Sequence, residues 1–184
     1  MEAEKVFENC PVYQSEHFLF RKMKMEDAER LFQCYSNRQA ARYFNGDCCN
    51  DDFYYTDFNK FMDCMKYWES RYQAKDFVRF TIVDRDHGNI IGMAEVCPSY
   101  KYSADGLCMG ILRIDNLPEY ETESSMQEMM TLIINHVYKD FGVKSILMKA
   151  QDYAEVRRKV LKQLQFVPAQ DECNISFNDY FIRY

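Results

Sequence analysis

The chain has 184 residues, with 23 lysines and arginines against 29 aspartates and glutamates, and its formal net charge is −6. This length predicts one domain over residues 1–184, and the acidic balance lacks the basic excess of a nucleic-acid-binding protein. No apolar run approaches the roughly 20 residues of a membrane span, and the first residues lack the pattern of a secretory signal. We therefore expect a cytoplasmic protein that binds neither nucleic acid nor a membrane.

Eight cysteines could indicate a disulfide framework or a metal site. Most of them are isolated along the chain, and Cys48 and Cys49 are adjacent instead of being separated by two residues as in a metal-binding pair. The histidines do not approach any cysteine at the spacing of metal ligands. We expect reduced, mostly buried thiols and no metal site.

A strand and two helices are the first predicted elements. Residues 18–23 have the composition of a strand, and a helix with one apolar face follows from a start near residues 25–27. After a turn-prone stretch at residues 45–50, apolar and aromatic side chains recur at helical spacing from Tyr54 to Trp68. Aromatic residues at that spacing are more typical of a core-facing helix than of a ligand site.

The middle of the chain predicts a hairpin, a strand and a long helix. Residues 77–83 and 90–96 are expected to pair as antiparallel strands across a turn. A further strand lies within residues 107–114, and apolar residues from Met126 to Val137 then recur on one helix face. Ser125 and Glu128 match the capping-box pattern at the start of this helix.

The last predicted elements complete a strand–helix–strand unit and extend it. Residues 145–150 predict a strand parallel to the one before the long helix, because a right-handed helical connection joins them. Asp152 and Glu155 repeat the capping pattern before another amphipathic helix, which Pro168 prevents from continuing. Two closing strands are expected around residues 166–167 and within residues 176–184.

This order of elements resembles the Gcn5-related N-acetyltransferase (GNAT) family, in the branch similar to ribosomal-protein N-terminal acetyltransferases. The resemblance is carried by residues 19–28 (LFRKMKMEDA), 88–95 (GNIIGMAE), 133–146 (IINHVYKDFGVKSI) and 160–166 (VLKQLQF). It implies an α/β (mixed α+β) fold in which helices flank a mostly antiparallel central sheet with one splayed parallel strand pair. It also implies acetyl transfer to a small-molecule or peptide amine, with acetyl-CoA in the V between the splayed strands.

The loop before the long helix holds the cofactor pyrophosphate in this family, through a Gln/Arg-x-x-Gly-x-Gly/Ala pattern. The matching positions here are Glu119, Thr122 and Ser124, and none of them fits the pattern. Because a helix start offers unpaired N–H groups and a partial positive charge, it remains a candidate anion site. The resemblance places the cofactor-binding residues at Thr122, Glu123, Ser124, Ser125 and Met126.

Two features of this loop leave an alternative function open. Glu121 and Glu123 place negative charge where the phosphates would lie, and Thr122 restricts close approach of the backbone because it is β-branched. The alternative is a domain of the same fold that acts as a binding or regulatory module with little or no turnover. Whether the loop surrounds a phosphate-sized hollow or is closed by side chains distinguishes the two.

The catalytic residue predicted from the sequence is Glu95. An ammonium acceptor must lose a proton before it attacks a thioester, and Glu95 interrupts an otherwise apolar strand near its end. The other interpretation is a strand-end glutamate that faces water. The asparagine and tyrosine that many family members carry after the parallel strand are replaced by Ala154 and Leu161, so the resemblance supplies no general acid.

Overall fold

The computed structural model describes residues 2–47, 49, 51–170 and 172–184, with side chains described from residue 5 onward. Within these ranges, eight strands form one sheet. The strands are β1 (Tyr13–Gln14), β2 (Phe18–Lys22), β3 (Val78–Asp84), β4 (Asn89–Ser99), β5 (Met109–Asn116), β6 (Ser145–Lys149), β7 (Val167–Pro168) and β8 (Tyr180–Arg183). The predicted strands are confirmed, and the short β1 is an addition at the sheet edge.

The sheet has the order β1-β2-β3-β4-β5-β6-β8-β7, and neighbouring strands are antiparallel except for β5 and β6. The hairpin of β3 and β4 and the parallel pair of β5 and β6 were both expected from the sequence. The parallel pairing follows from the intervening helix, because a helical crossover returns the chain to the same end of the sheet. The expected mixed α/β class with one parallel pair is therefore confirmed.

Helices cover both faces of the sheet. They are α1 (Glu2–Glu8), α2 (Ala28–Tyr35), α3 (Arg38–Ala41), α4 (Phe58–Gln73), α5 (Glu123–Asp140) and α6 (Glu155–Gln163). Helices α2 and α4 pack one apolar core on the first face, and α5 and α6 pack another on the second face. Because both faces are covered, a charged side chain in a central strand is buried whichever way it points.

Both predicted helix caps are wrong. Thr122 is the N-cap of α5, where its Oγ1 accepts a hydrogen bond from the Ser125 N–H at 3.3 Å. Glu128 instead accepts a hydrogen bond from the backbone N–H of His17 at 2.8 Å, which joins α5 to the residue before β2. Ala154, which has no capping side chain, precedes α6. A capping pattern specifies compatible residues, whereas the exit path of the preceding loop decides where helical dihedral angles begin.

Three elements were not predicted, namely α1, β1 and α3, all of which are short. Tyr54 lies ahead of α4, which begins at Phe58 with Asp57 as its N-cap. Among the described residues, no helix has the length and apolarity to cross a membrane.

Cys10, Cys34, Cys64, Cys97, Cys108 and Cys173 are free thiols, and Cys48 lies outside the described part of the chain. Of these six, only Cys34 and Cys173 are buried and the others are half-buried, so the expectation of mostly buried thiols is wrong. In the same part of the chain, no group of three or more metal-ligating side chains is positioned to hold an ion.

Candidate functional site

Strands β5 and β6 separate after a short paired segment, which ends where Leu112 lies opposite Met148. Beyond this point, residues 113–116 pair only with β4, and Lys149 pairs with Tyr180 of β8. The separation leaves backbone groups on the facing edges of the two strands that are not used between them. We call this wedge the strand fork, and it corresponds to the splayed pair that the family resemblance implies.

Arg157 of α6 fills the wide end of the strand fork, where its side chain is 2% exposed. Its Nε lies 3.0 Å from Glu121 Oε2, and its Nη2 lies 3.3 Å from Asn116 Oδ1. Its Nη1 donates to the carbonyl oxygen of Tyr43 at 3.3 Å. The guanidinium group therefore joins the loop before α5, the end of β5 and the segment after α3.

The cavity that remains beside Arg157 has a volume of about 190 Å³. Its lining residues are Tyr43, Glu121, Tyr153, Ala154, Glu155, Val156 and Arg157. This volume is below the roughly 300–1,000 Å³ of ordinary small-molecule pockets. Side chains therefore narrow the cleft, and a ligand with a diphosphate would have to displace Glu121 from Arg157.

The five predicted cofactor-binding residues differ in whether their backbone N–H groups can still donate to a phosphate. The N–H groups of Ser125 and Met126 are already used, because they donate to Thr122 Oγ1 and to the Thr122 carbonyl oxygen. The Met126 side chain is fully buried in the core. Glu123 and Ser124 hold the first two helix positions, whose N–H groups have no acceptor within the helix. They are the remaining backbone candidates for an anion.

The acidic charge of the loop is paired with the basic side of α6. Glu123 lies 2.5 Å from Lys159 Nζ and accepts a hydrogen bond from Gln163 at 2.8 Å, while Glu121 pairs with Arg157. Neither Arg157 nor Lys159 was predicted from the sequence to be a functional residue. The available signal was a run of three basic residues, Arg157, Arg158 and Lys159, near the start of the helix that follows the parallel strand.

The opposite side of the α5 start is acidic. A cavity of about 230 Å³ there is lined by His17, Phe18, Asp84, Asp86, Tyr120, Ser124, Ser125 and Glu128. Three carboxylates in one small hollow disfavour a phosphate by repulsion of like charges. If a diphosphate binds at this helix start, it lies on the α6 side.

Glu95 lies in a row of three charged side chains that crosses the central strands. Arg79 of β3 and Arg113 of β5 are its direct cross-strand neighbours. Glu95 Oε2 lies 2.9 Å from Arg79 Nη2, and Glu95 Oε1 pairs with Arg113 Nη1. The Glu95 side chain is 2% exposed, so the interpretation of a strand-end glutamate that faces water is wrong.

The two guanidinium groups decide the ionisation of Glu95. Burial by itself would raise the pKa of this carboxyl group, but the charges of Arg79 and Arg113 outweigh burial and hold its pKa below the ordinary value. Glu95 is therefore ionised at neutral pH, with both oxygens engaged. A paired carboxylate of low pKa is a weak proton acceptor, although it holds two arginine side chains in place.

Asp115 and Tyr35 extend this buried network toward α2. The Tyr35 hydroxyl donates to Asp115 Oδ2 at 2.7 Å, and Arg79 Nη1 donates to the same hydroxyl at 2.9 Å. Burial raises the pKa of Asp115 despite the nearby charge of Arg79. Asp115 Oδ2 lies 3.4 Å from Arg79 Nη1, whereas Glu95 Oε2 lies 2.9 Å from Arg79 Nη2, so Glu95 is the closer ion-pair partner of Arg79.

A cavity of about 380 Å³ opens on this row of charges, and we call it the aromatic cavity. It is lined by Cys49, Asp51, Phe53, Cys64, Tyr67, Trp68, Phe77, Arg79, Glu95 and Arg113. Arg113 follows Leu112, the last residue of β5 paired with β6, so one end of the cavity adjoins the strand fork. Phe53 has a positive φ of 56°, a strained conformation for a bulky residue and one that is frequent at binding sites.

Solved structures of similar fold are acetyltransferases. Ribosomal-protein-S5-alanine acetyltransferase from Vibrio fischeri aligns at 17% identity and a TM-score of 0.66, over 94% of this chain and 94% of that one. Spermidine N-acetyltransferase from Vibrio cholerae, in complex with CoA and spermine, aligns at 13% identity and 0.66, over 91% and 93% of the two chains. Mycobacterium smegmatis RimJ, in complex with CoA-disulfide, aligns at 10% identity and 0.67, over 90% and 79%.

At identities this low, the likeness to these structures establishes the fold alone. No curated protein sequence matches the chain significantly. Residues 17–167 match the family described as Acetyltransferase (GNAT) domain, and this range includes both the strand fork and the aromatic cavity. The side chains that narrow the cleft at Arg157 are what the alternative of a non-catalytic binding module would show, but the family match does not favour that alternative. The chain therefore belongs to the GNAT acetyltransferase family, enzymes that acetylate amines with a coenzyme A thioester.

Proposed function

We propose that this protein transfers the acetyl group of acetyl-CoA to the amine of a small-molecule or peptide acceptor. The observation that supports this proposal is the strand fork, with the aromatic cavity at one end and the basic residues of α6 at the other. A thioester in the fork would reach an acceptor in the cavity, while its diphosphate would lie toward α6.

Cofactor binding would use the N–H groups of Glu123 and Ser124 together with Arg157 and Lys159. Charge-assisted hydrogen bonds from guanidinium and ammonium groups to phosphate are stronger than neutral ones, and they can replace the glycine-rich loop that this chain lacks. In this structure, Glu121 forms an ion pair with Arg157, and Glu123 forms one with Lys159. Cofactor binding therefore exchanges a carboxylate for a phosphate at Arg157.

The chemical step joins the acceptor nitrogen to the acetyl carbon. The neutral amine attacks the thioester carbonyl carbon, the carbon–sulfur bond breaks, and the coenzyme A thiolate leaves and takes up a proton as the nitrogen loses one. Glu95 as the base for this proton stays a prediction. Its two arginine partners favour instead a role in holding Arg79 and Arg113 at the cavity.

Acetyl-CoA is expected to raise the melting temperature of the purified protein. A ligand that binds only the folded state at one hundred times its Kd stabilises it by about 2.7 kcal/mol. For a chain of this size, that corresponds to a Tm increase of roughly 5–10 °C. Differential scanning fluorimetry across a series of acetyl-CoA concentrations measures the shift.

Two controls make this measurement specific. Free coenzyme A should also raise Tm, because it carries the same phosphates, whereas acetate at the same concentration should not. Release of free coenzyme A thiol on addition of an amine panel then reports turnover. An unchanged Tm at millimolar acetyl-CoA would contradict the proposed cofactor.

A further inference from the structure

Within the described part of the chain, two arginine side chains of the aromatic cavity have a hydrogen-bond donor without a partner. The Nε atoms of Arg79 and Arg113 are buried and have no hydrogen-bond partner among the described residues. The lining carboxylates are already engaged, since Glu95 accepts from both arginines and Asp51 accepts from the Phe53 N–H and the Tyr55 hydroxyl. Buried polar groups are nearly always paired, so these two donors favour a ligand with an acceptor group. Because both Nε atoms are closed to solvent, the arginine side chains must shift for a ligand in the cavity to reach them.

The contacts of the two arginines point to an anionic acceptor group. Both arginines pair with Glu95, Arg79 has a further contact of 3.4 Å with Asp115, and the third nearby carboxylate, Asp51, accepts from the Phe53 N–H and the Tyr55 hydroxyl instead of from an arginine. A buried cation is stabilised best by a charged partner in hydrogen-bonding geometry. An ammonium group, as in a polyamine, would leave the Nε–H donors of Arg79 and Arg113 without an acceptor.

Aromatic rings of the cavity wall hold the Arg79 guanidinium group in position. The Arg79 guanidinium lies 3.8 Å from the ring centroid of Trp68 and 5.3 Å from that of Phe53. Such stacking fixes the plane of the group and hence the direction of its N–H donors. Tyr67 and Phe77 also line the cavity, and their rings would contact an apolar part of a ligand.

The size and place of the cavity limit what it can hold. Its volume of about 380 Å³ suits a small molecule. Arg113 lies at the strand fork, so an acceptor carboxylate beside it would place an amine one carbon away near the thioester. This spacing between amine and carboxylate is that of an α-amino acid.

We propose that the aromatic cavity binds the acceptor as an α-amino acid with an apolar or aromatic side chain, whose carboxylate takes the free Nε–H donors of Arg79 and Arg113. This inference rests on the proposed acetyl transfer, which it extends to a substrate class. It distinguishes the protein from a polyamine acetyltransferase and from one that acetylates protein N-termini, because neither acceptor carries a carboxylate beside its amine.

The test compares L-phenylalanine with L-phenylalaninamide, which differ only in the carboxylate. We expect kcat/KM to be about 10–100-fold higher for phenylalanine, the range expected for charge-assisted hydrogen bonds. The amide has the less basic amine, so its reactive neutral fraction is larger and ionisation alone would favour it. Spermidine and an alanine-initiated peptide complete the panel and are expected to be poor acceptors.

Two variants connect the preference to the cavity. Arg113→Gln should reduce the phenylalanine-to-phenylalaninamide ratio toward one, mainly through the KM for phenylalanine. Tyr67→Ala removes an aromatic wall residue that is 57% exposed, so the fold should persist while KM rises more for phenylalanine than for alanine. Arg158→Gln, a matched arginine of α6 that does not line the cavity, should leave the ratio unchanged.

Measuring phenylalanine binding without the cofactor separates the proposed acetyl transfer from the proposed preference for an amino acid. If phenylalanine raises Tm in the wild type but no amine is acetylated, the cavity assignment stands and the proposed function fails. If phenylalaninamide, spermidine or the peptide is acetylated as well as or better than phenylalanine, acetyl transfer stands and the amino-acid inference is overturned. Absence of both phenylalanine binding and phenylalanine turnover also overturns it.

Discussion

Glu95→Gln is expected to lower the free energy of unfolding by about 3–5 kcal/mol, the usual cost of breaking a buried ion pair by removing one partner. The change leaves the charges of Arg79 and Arg113 buried with no carboxylate between them. Urea unfolding followed by circular dichroism measures the loss. The matched control is Glu69→Gln, whose partner Lys22 lies in a half-exposed ion pair and whose replacement should cost about 0–1 kcal/mol.

The pH dependence of stability gives a second measurement of Glu95. Because its pKa is lowered in the folded state, its contribution is present above the ordinary glutamate value of 4.5 and is lost as the pH falls through the folded pKa. Wild-type stability should therefore decrease on acidification in this range, and part of that decrease should be absent from Glu95→Gln. An equal loss of stability on acidification in the wild type and in Glu95→Gln would contradict the assigned ion pairs.

Activity measurements on the same variant decide whether Glu95 is the base. Loss of a general base lowers turnover by roughly 10²–10⁴, and the loss eases at high pH because more acceptor amine is then neutral. From the paired, ionised state of Glu95 we expect a loss that does not change with pH and that appears largely in the acceptor KM. A loss that eases as pH rises would establish Glu95 as the base.

Glu121→Gln is expected to tighten acetyl-CoA binding by about 10–100-fold, the range of one additional charge-assisted hydrogen bond. The substitution removes the carboxylate that occupies Arg157, so a phosphate no longer has to displace it. The unliganded variant should be less stable, because Arg157 is 2% exposed and loses its partner. Isothermal titration calorimetry measures the affinity, and thermal unfolding without ligand measures the cost.

Glu123→Gln is the matched control for this prediction. Its ion pair with Lys159 is exposed, with 41% and 60% of the two side chains accessible, so its effect should be small and should disappear at high salt. The effect of Glu121→Gln should persist at high salt, because buried charges are screened less. Equal cofactor affinity in Glu121→Gln and the wild type would show that the diphosphate does not approach Arg157.

The sequence by itself determined the elements and much of their arrangement. Apolar periodicity located α4, α5 and the hairpin of β3 and β4, because side chains that face a core repeat with the period of the element that carries them. The parallel pairing of β5 and β6 followed from the helix between them. These properties depend on residues near each other in the chain, so a single sequence contains the information.

Only the tertiary structure decided which charges meet. Glu121 pairs with Arg157 across 36 positions of sequence, and Arg79 reaches Asp115 across the same separation. Local periodicity carries no information on such contacts, since they depend on the packing of α6 against the strand fork and on strand register. One signal was available for Glu95: a glutamate in a strand that is apolar on both faces must be buried, and a buried carboxylate needs a cationic partner.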